Sequence, residues 1–160
     1  MLNEFLNAMM LAELLYDTTV ASLKRTPRGL RQENGAQETP ARILHVDDEP
    51  DIRAIVELSL GQEADFVTRS CGSGKEGLDL VADWKPDLLL LDLMMPQMGG
   101  ETTLARLRTD VKSSMPVVFM TAFCKVEEPE YFRSLGAAGV IYKPFKPTML
   151  AASVRSYLQV

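Results

Sequence analysis

"DLLLLDLMMP", residues 87–96, decides how this chain folds. An unbroken run of four leucines suits a strand covered on both faces, and such strands belong to parallel sheets held between layers of helices. The run ends at Asp92, a full charge. A buried carboxylate without a partner is costly. Asp92 therefore either stands at the lip of the core or is balanced there by a cation.

Outward from this run, short apolar stretches alternate with helical spacing. The stretches 42–46, 65–70, 87–91, 116–120 and 138–142 read as strands. The stretches 50–60, 74–84, 99–108, 128–135 and 147–158 read as helices. Pro50 suits a first turn, and Gly136 suits a helix C-cap. Five strand–helix pairs from residue 41 onward predict a parallel sheet with helices on both faces. Ligands of such sheets bind beyond the carboxyl ends of the strands.

The residues at those ends are chemically coherent. Asp47, Asp48 and Glu49 follow the first strand, Asp92 the third, Thr121 and Ala122 the fourth, and Lys143 and Pro144 the fifth. Carboxylates, a hydroxyl and an ammonium thus share one edge. Clustered oxygen ligands with water access suit a hard cation, Mg²⁺ above all. A carboxylate beside Mg²⁺ and an ammonium is equipped to attack phosphorus. No Gly-rich Walker loop is present to hold a nucleotide donor.

These motifs carry a resemblance. "HVDDEPDIR" (45–53), "DLLLLDLMMPQMGG" (87–100), "VVFMTAF" (117–123) and "GAAGVIYKPF" (136–145) are similar to the receiver domain of bacterial two-component response regulators, of the stand-alone, single-domain type. The resemblance covers residues 41–160. It implies a flavodoxin-like, doubly wound five-stranded parallel sheet in the order 2-1-3-4-5. It also implies phosphoryl transfer from a histidine kinase or histidine phosphotransfer protein. By motif position Asp92 is the phosphoacceptor. Asp48, Asp92 and the Met94 backbone carbonyl ligate Mg²⁺, Asp47 completes the acid pocket partly through water, and Thr121 and Lys143 bind the phosphoryl group. Pro144 is expected to follow a cis peptide bond.

Two positions depart from that family's pattern. Three residues before the lysine, where an aromatic side chain is usual, stands Val140. Strand alternation puts Tyr142 on the same face. Two residues after the phosphoacceptor, where polar residues are frequent, stands Met94.

The composition agrees with a globular protein: 46% of the 160 residues are apolar and 24% charged. The net charge of −5 argues against a nucleic-acid partner. Cys71 and Cys124 have no metal or disulfide spacing and fit a reducing, cytoplasmic setting. His45 reads as a satisfied core histidine rather than a ligand, and Trp84 as a packing residue. Residues 24–40 have linker composition, and residues 1–23 carry a helical apolar stripe through Leu2, Phe5, Leu6 and Met9. That stripe fits a helix docked on residues 41–160 or on a second copy, a frayed extension, or a start assigned too early. Its acidic residues exclude a signal peptide and a membrane span.

The expected function is a phosphorylation-dependent switch, not an enzyme, a monomer or weak dimer that signals by protein contacts through about residues 127–158. The alternatives are a phosphate-insensitive interaction module and a phosphatase with an aspartyl nucleophile. The second commonly needs an acid two residues after the nucleophile, a place Met94 holds.

Overall fold

The computed structural model describes residues 39–122 and 129–158. The expected helix and linker of residues 1–38, and Phe123 and Cys124, lie outside them. The elements alternate as β1 (Ala41–Val46), α1 (Pro50–Gly61), β2 (Phe66–Cys71), α2 (Gly74–Trp84) and β3 (Leu88–Asp92). They continue as α3 (Gly100–Thr109), β4 (Val117–Thr121), α4 (Pro129–Ser134), β5 (Gly139–Tyr142) and α5 (Pro147–Leu158). All strand pairs are parallel and the order is β2-β1-β3-β4-β5, as the motifs imply.

The leucine run forms the middle strand, and every residue of β3 is buried. Alternation along the strands divides the core into two layers. Ile43, Leu88, Leu90, Val118 and Met120 face α1 and α5, where they meet Ile55, Val56, Leu150 and Val154. Leu44, Leu89, Leu91, Val117 and Phe119 face the opposite way and meet Leu78, Leu104, Leu107 and Phe132 of α2, α3 and α4. The helices hold their apolar residues at spacings of three and four, which gives each one a single buried stripe.

Local chemistry sets the element ends. Pro50 opens α1. The Ser73 side chain accepts the Glu76 N–H at 3.3 Å and caps α2. Glu76 in turn accepts the Gly72 N–H at 3.2 Å. Gly136 follows α4 with φ +84°, a left-handed conformation that glycine adopts without strain, as its C-cap reading requires.

The strand ends differ from the sequence reading by one residue. Asp92 does not follow β3 but is its last residue, paired in register with Met120. Thr121 likewise closes β4. Both are buried, with 5% and 1% of their surface exposed. The ladder runs one residue further than apolarity alone signals, because the backbone hydrogen bonds continue under the polar side chains.

Candidate functional site

Of the residues read from the strand ends, Asp47, Asp48, Glu49, Asp92 and Lys143 meet above the carboxyl edge of the sheet, and Thr121 closes β4 beside Lys143. Asp47 and Asp48 lie in the turn from β1 to α1, and Lys143 lies just past β5. Carboxylate oxygens of Asp47, Asp48 and Asp92 fall within 4.8 Å of one another. Asp47 is fully buried, while Asp48 is the most open of the three. The Lys143 ammonium donates to Asp47 Oδ2 at 2.6 Å and to Asp92 Oδ1 at 3.0 Å. Its backbone N–H donates to the Thr121 carbonyl at 2.8 Å, which ties the lysine to the end of β4. The peptide bond between Lys143 and Pro144 is cis, as expected.

Further contacts fix the acids. Asp47 Oδ1 accepts the Glu49 N–H at 2.9 Å, and Arg53 donates to the Asp47 carbonyl at 2.7 Å. Asp92 Oδ2 accepts the Met94 N–H at 3.1 Å. The Met94 side chain stands 67% exposed at the mouth of the pocket. Gly100 opens α3 directly against Asp92: a Cβ there would lie 2.4 Å from the Asp92 carbonyl oxygen. Only glycine lets the helix start that close.

The electrostatics separate the two buried acids. Burial pushes the Asp92 carboxyl up to about 6, with Lys143 opposing and Asp47 adding to the rise. Burial also acts on Asp47, but the neighbouring His45 and Lys143 outweigh it and hold Asp47 below the usual carboxylate range. Burial works against the Lys143 charge, yet the two carboxylates hold its ammonium above its ordinary value. Asp47, Asp92 and, at 3.7 Å, Glu49 surround the Lys143 ammonium, and Asp48 adds a fourth carboxylate, so acids outnumber the ammonium, which suits a divalent cation.

Several contacts were outside the reach of sequence reasoning. Arg53 sits one helical turn after Glu49, and nothing in its spacing signals the contact with Asp47. His45 is buried as expected but not satisfied: neither ring nitrogen has a hydrogen-bond partner among the described residues, and Nε2 lies 3.6 Å from Asp47 Oδ2. Tyr131 of α4 donates to Glu101 of α3 at 2.5 Å, joining the starts of two helices that flank the site. Val140 packs partly buried in the layer with Phe119 and Phe132, and Tyr142 is 41% exposed.

The response regulator receiver domain model matches residues 43–155. The chain belongs to the response regulator receiver family. The DNA-binding response regulator MtrA of Mycolicibacterium smegmatis is 39% identical to this receiver over 118 residues, which is 74% of the chain and 50% of MtrA. Response regulator Rre1 of Synechocystis is 36% identical over 120 residues, 74% of the chain and 52% of Rre1. Among solved structures, the Vibrio cholerae chemotaxis protein CheY4 superposes with a TM-score of 0.67 at 27% identity, covering 74% of the chain and 99% of CheY4. The receiver spans about half the length of the curated relatives it matches.

That proportion corrects one expectation. The absence of a nucleic-acid partner does not stand, because MtrA is a DNA-binding response regulator. The net charge of −5 describes the field of this chain alone. It carries no information about how a relative such as MtrA meets DNA. Among the described residues, no helix is long and apolar enough to cross a membrane.

Proposed function

We propose that this receiver is a phosphorylation-dependent signalling switch whose acceptor is Asp92. A phosphohistidine on a histidine kinase or phosphotransfer protein is the donor. The bond from phosphorus to the imidazole nitrogen breaks as a bond to an Asp92 carboxylate oxygen forms. One observation carries this reading: a single buried ammonium, Lys143, bridges Asp92 and Asp47 at the carboxyl edge of the sheet.

With its carboxyl at about 6, Asp92 is mostly ionised at neutral pH and so is able to act as the nucleophile. Lys143 and the Thr121 hydroxyl would receive the phosphoryl oxygens. Asp48, Asp92 and the Met94 carbonyl would hold Mg²⁺. Asp47 would complete the shell through water. Three carboxylates with oxygens within 4.8 Å of one another offer the clustered oxygen ligands that this cation takes. Bound there, Mg²⁺ supplies charge neutralisation at the transferring oxygens.

The function ends with a modified protein and altered protein contacts, not with turnover of a substrate. A phosphatase would need a proton donor beside the nucleophile, and the Met94 side chain has none. Incubation with acetyl phosphate and Mg²⁺, read by intact mass, tests the proposal. One phosphoryl adduct is expected, lost in Asp92→Ala and reduced in Asp48→Ala. An adduct retained in Asp92→Ala would refute the acceptor. No adduct at all would favour a phosphate-insensitive module, and steady release of phosphate would favour the phosphatase.

A further inference from the structure

His45 is the only histidine in the chain. It lies in β1 two residues before Asp47, so both side chains project from the same face of the sheet, toward α1 and α5. None of its surface is exposed, and neither ring nitrogen has a hydrogen-bond partner among the described residues. Ser70, its register partner on β2, and Thr68 also keep buried hydroxyl oxygens without partners. A core rarely retains such groups, since each one costs stability. An apolar side chain at position 45 would remove that cost.

What the ring faces explains its presence. His45 Nε2 lies 3.6 Å from Asp47 Oδ2: near enough to help hold that carboxyl low, too long for a well-formed hydrogen bond, and able to become one after a small shift. Asp47 Oδ2 is also the oxygen held by Lys143 at 2.6 Å. The same ammonium donates to Asp92. A phosphoryl group on Asp92 would place new anionic oxygens beside Lys143. Any movement of the ammonium toward them loosens its bond to Asp47 and leaves Oδ2 of that buried carboxylate short of its donor, while Oδ1 keeps the Glu49 N–H. The neutral ring, favoured by complete burial, has one N–H to offer.

We propose that His45 is a reserve hydrogen-bond donor for Asp47, taking over Asp47 Oδ2 through its Nε2–H when Lys143 turns to a phosphoryl group on Asp92. His45 is thus a positioning residue. It acts through Asp47 and touches neither the phosphoryl group nor the donor. This inference rests on the phosphorylation of Asp92 proposed above.

A single histidine makes the test direct. Imidazole ¹⁵N–¹H spectra of the protein would be recorded with Mg²⁺, before and after addition of beryllofluoride as the phosphoryl mimic. Adduct formation is followed separately by ¹⁹F signals. The expected result is an Nε2–H tautomer whose proton resonance moves downfield on adduct formation, as its hydrogen bond shortens. An adduct with unchanged His45 resonances, or an Nδ1–H tautomer, overturns the reserve-donor role and leaves the function standing. Absence of any adduct overturns the function and this inference with it. In parallel, His45→Phe should bind beryllofluoride about tenfold more weakly with its melting temperature unchanged or raised. His45→Gln, which keeps an N–H near the Nε2 position, should recover most of the affinity. Wild-type affinity in His45→Phe, or equal loss in both variants, overturns the proposal.

Discussion

The Lys143 ammonium lies nearer to Asp47, at 2.6 Å, than to Asp92, at 3.0 Å. Their carboxyls end on opposite sides of the ordinary value: burial raises Asp92 to about 6 although Lys143 opposes it, whereas His45 and Lys143 together outweigh burial and hold Asp47 below the usual carboxylate range. The cation is shared unequally, and the less favoured acid is the one proposed to take the phosphoryl group.

That inequality has a pH signature. The Asp92 carboxyl is raised on folding, so between its unfolded value of 3.8 and about 6 the folded state holds the extra proton. Its contribution to stability is complete below the unfolded value and is lost as pH rises through the folded one. Asp92→Asn removes this loss. In metal-free buffer the variant should gain on the wild type by roughly 2–3 kcal/mol between pH 4 and 7, since one pKa unit is about 1.4 kcal/mol. Asp47 has the opposite sign but is common to both proteins. Urea unfolding across this range measures the difference, and Mg²⁺ should shrink it at pH 7. A pH-independent difference would contradict the raised acid.

Loss of the lysine should follow the same logic. Lys143→Met leaves two buried carboxylates without their ammonium, a change that typically costs about 3–5 kcal/mol. The cost should be smaller at pH 5, where Asp92 accepts a proton and only Asp47 remains charged. Denaturant midpoints at pH 5 and pH 8 provide the check. Equal destabilisation at both would mean that Lys143 serves as packing rather than as counter-charge.

Much of this was legible in the chain before any coordinates. In a parallel sheet each strand exits on the same edge, so reading the residue after each apolar run collects the site without knowing how the strands are ordered. Asp47, Asp48, Asp92, Thr121 and Lys143 emerged this way because each interrupts or follows a run of apolar residues. The boundaries did not emerge as cleanly, since a backbone ladder has no regard for side-chain polarity, as Asp92 at the end of β3 shows. Contacts such as Arg53 with the Asp47 carbonyl were illegible for another reason. They depend on the direction in which α1 leaves β1, and no periodicity encodes that. The 3.6 Å approach of His45 to Asp47 is of the same kind.

Gly100 offers a steric test. A Cβ there would lie 2.4 Å from the Asp92 carbonyl oxygen and 2.9 Å from the Phe119 ring. Gly100→Ala should therefore cost about 1–3 kcal/mol through overpacking. It should also slow phosphorylation by acetyl phosphate, because the strain falls on the backbone of the acceptor. Gly61→Ala is the control: no atom lies within 4 Å of its Cβ position, and it ends a helix. That variant should be neutral or slightly stabilising. Similar melting temperatures for the two variants would refute the close approach at Gly100.

Met94 bears on the lifetime of the phosphorylated state. Its backbone N–H holds Asp92 Oδ2, while its side chain stands in solvent at the pocket mouth with no group to orient an attacking water. Met94→Asn supplies such a group and should speed phosphate release by about tenfold, the equivalent of roughly 1.4 kcal/mol at the transition state. Phosphate release from the purified, phosphorylated protein is the measurement. An unchanged or slower rate would overturn the role.

The bond between Lys143 and Asp47 joins residues 96 apart in the chain, and that between Lys143 and Asp92 spans 51. Contacts so distant in sequence require closure of long loops before they contribute anything, and they form late in folding. β5 is an edge strand, paired only with β4 in the sheet order, and the lysine lies just beyond it. A nascent chain that has placed four strands already carries all the acids yet lacks the ammonium that neutralises them. On the proposed function, the pocket is complete only once the last strand has docked, so an incompletely synthesised or misassembled chain should not take the phosphoryl group.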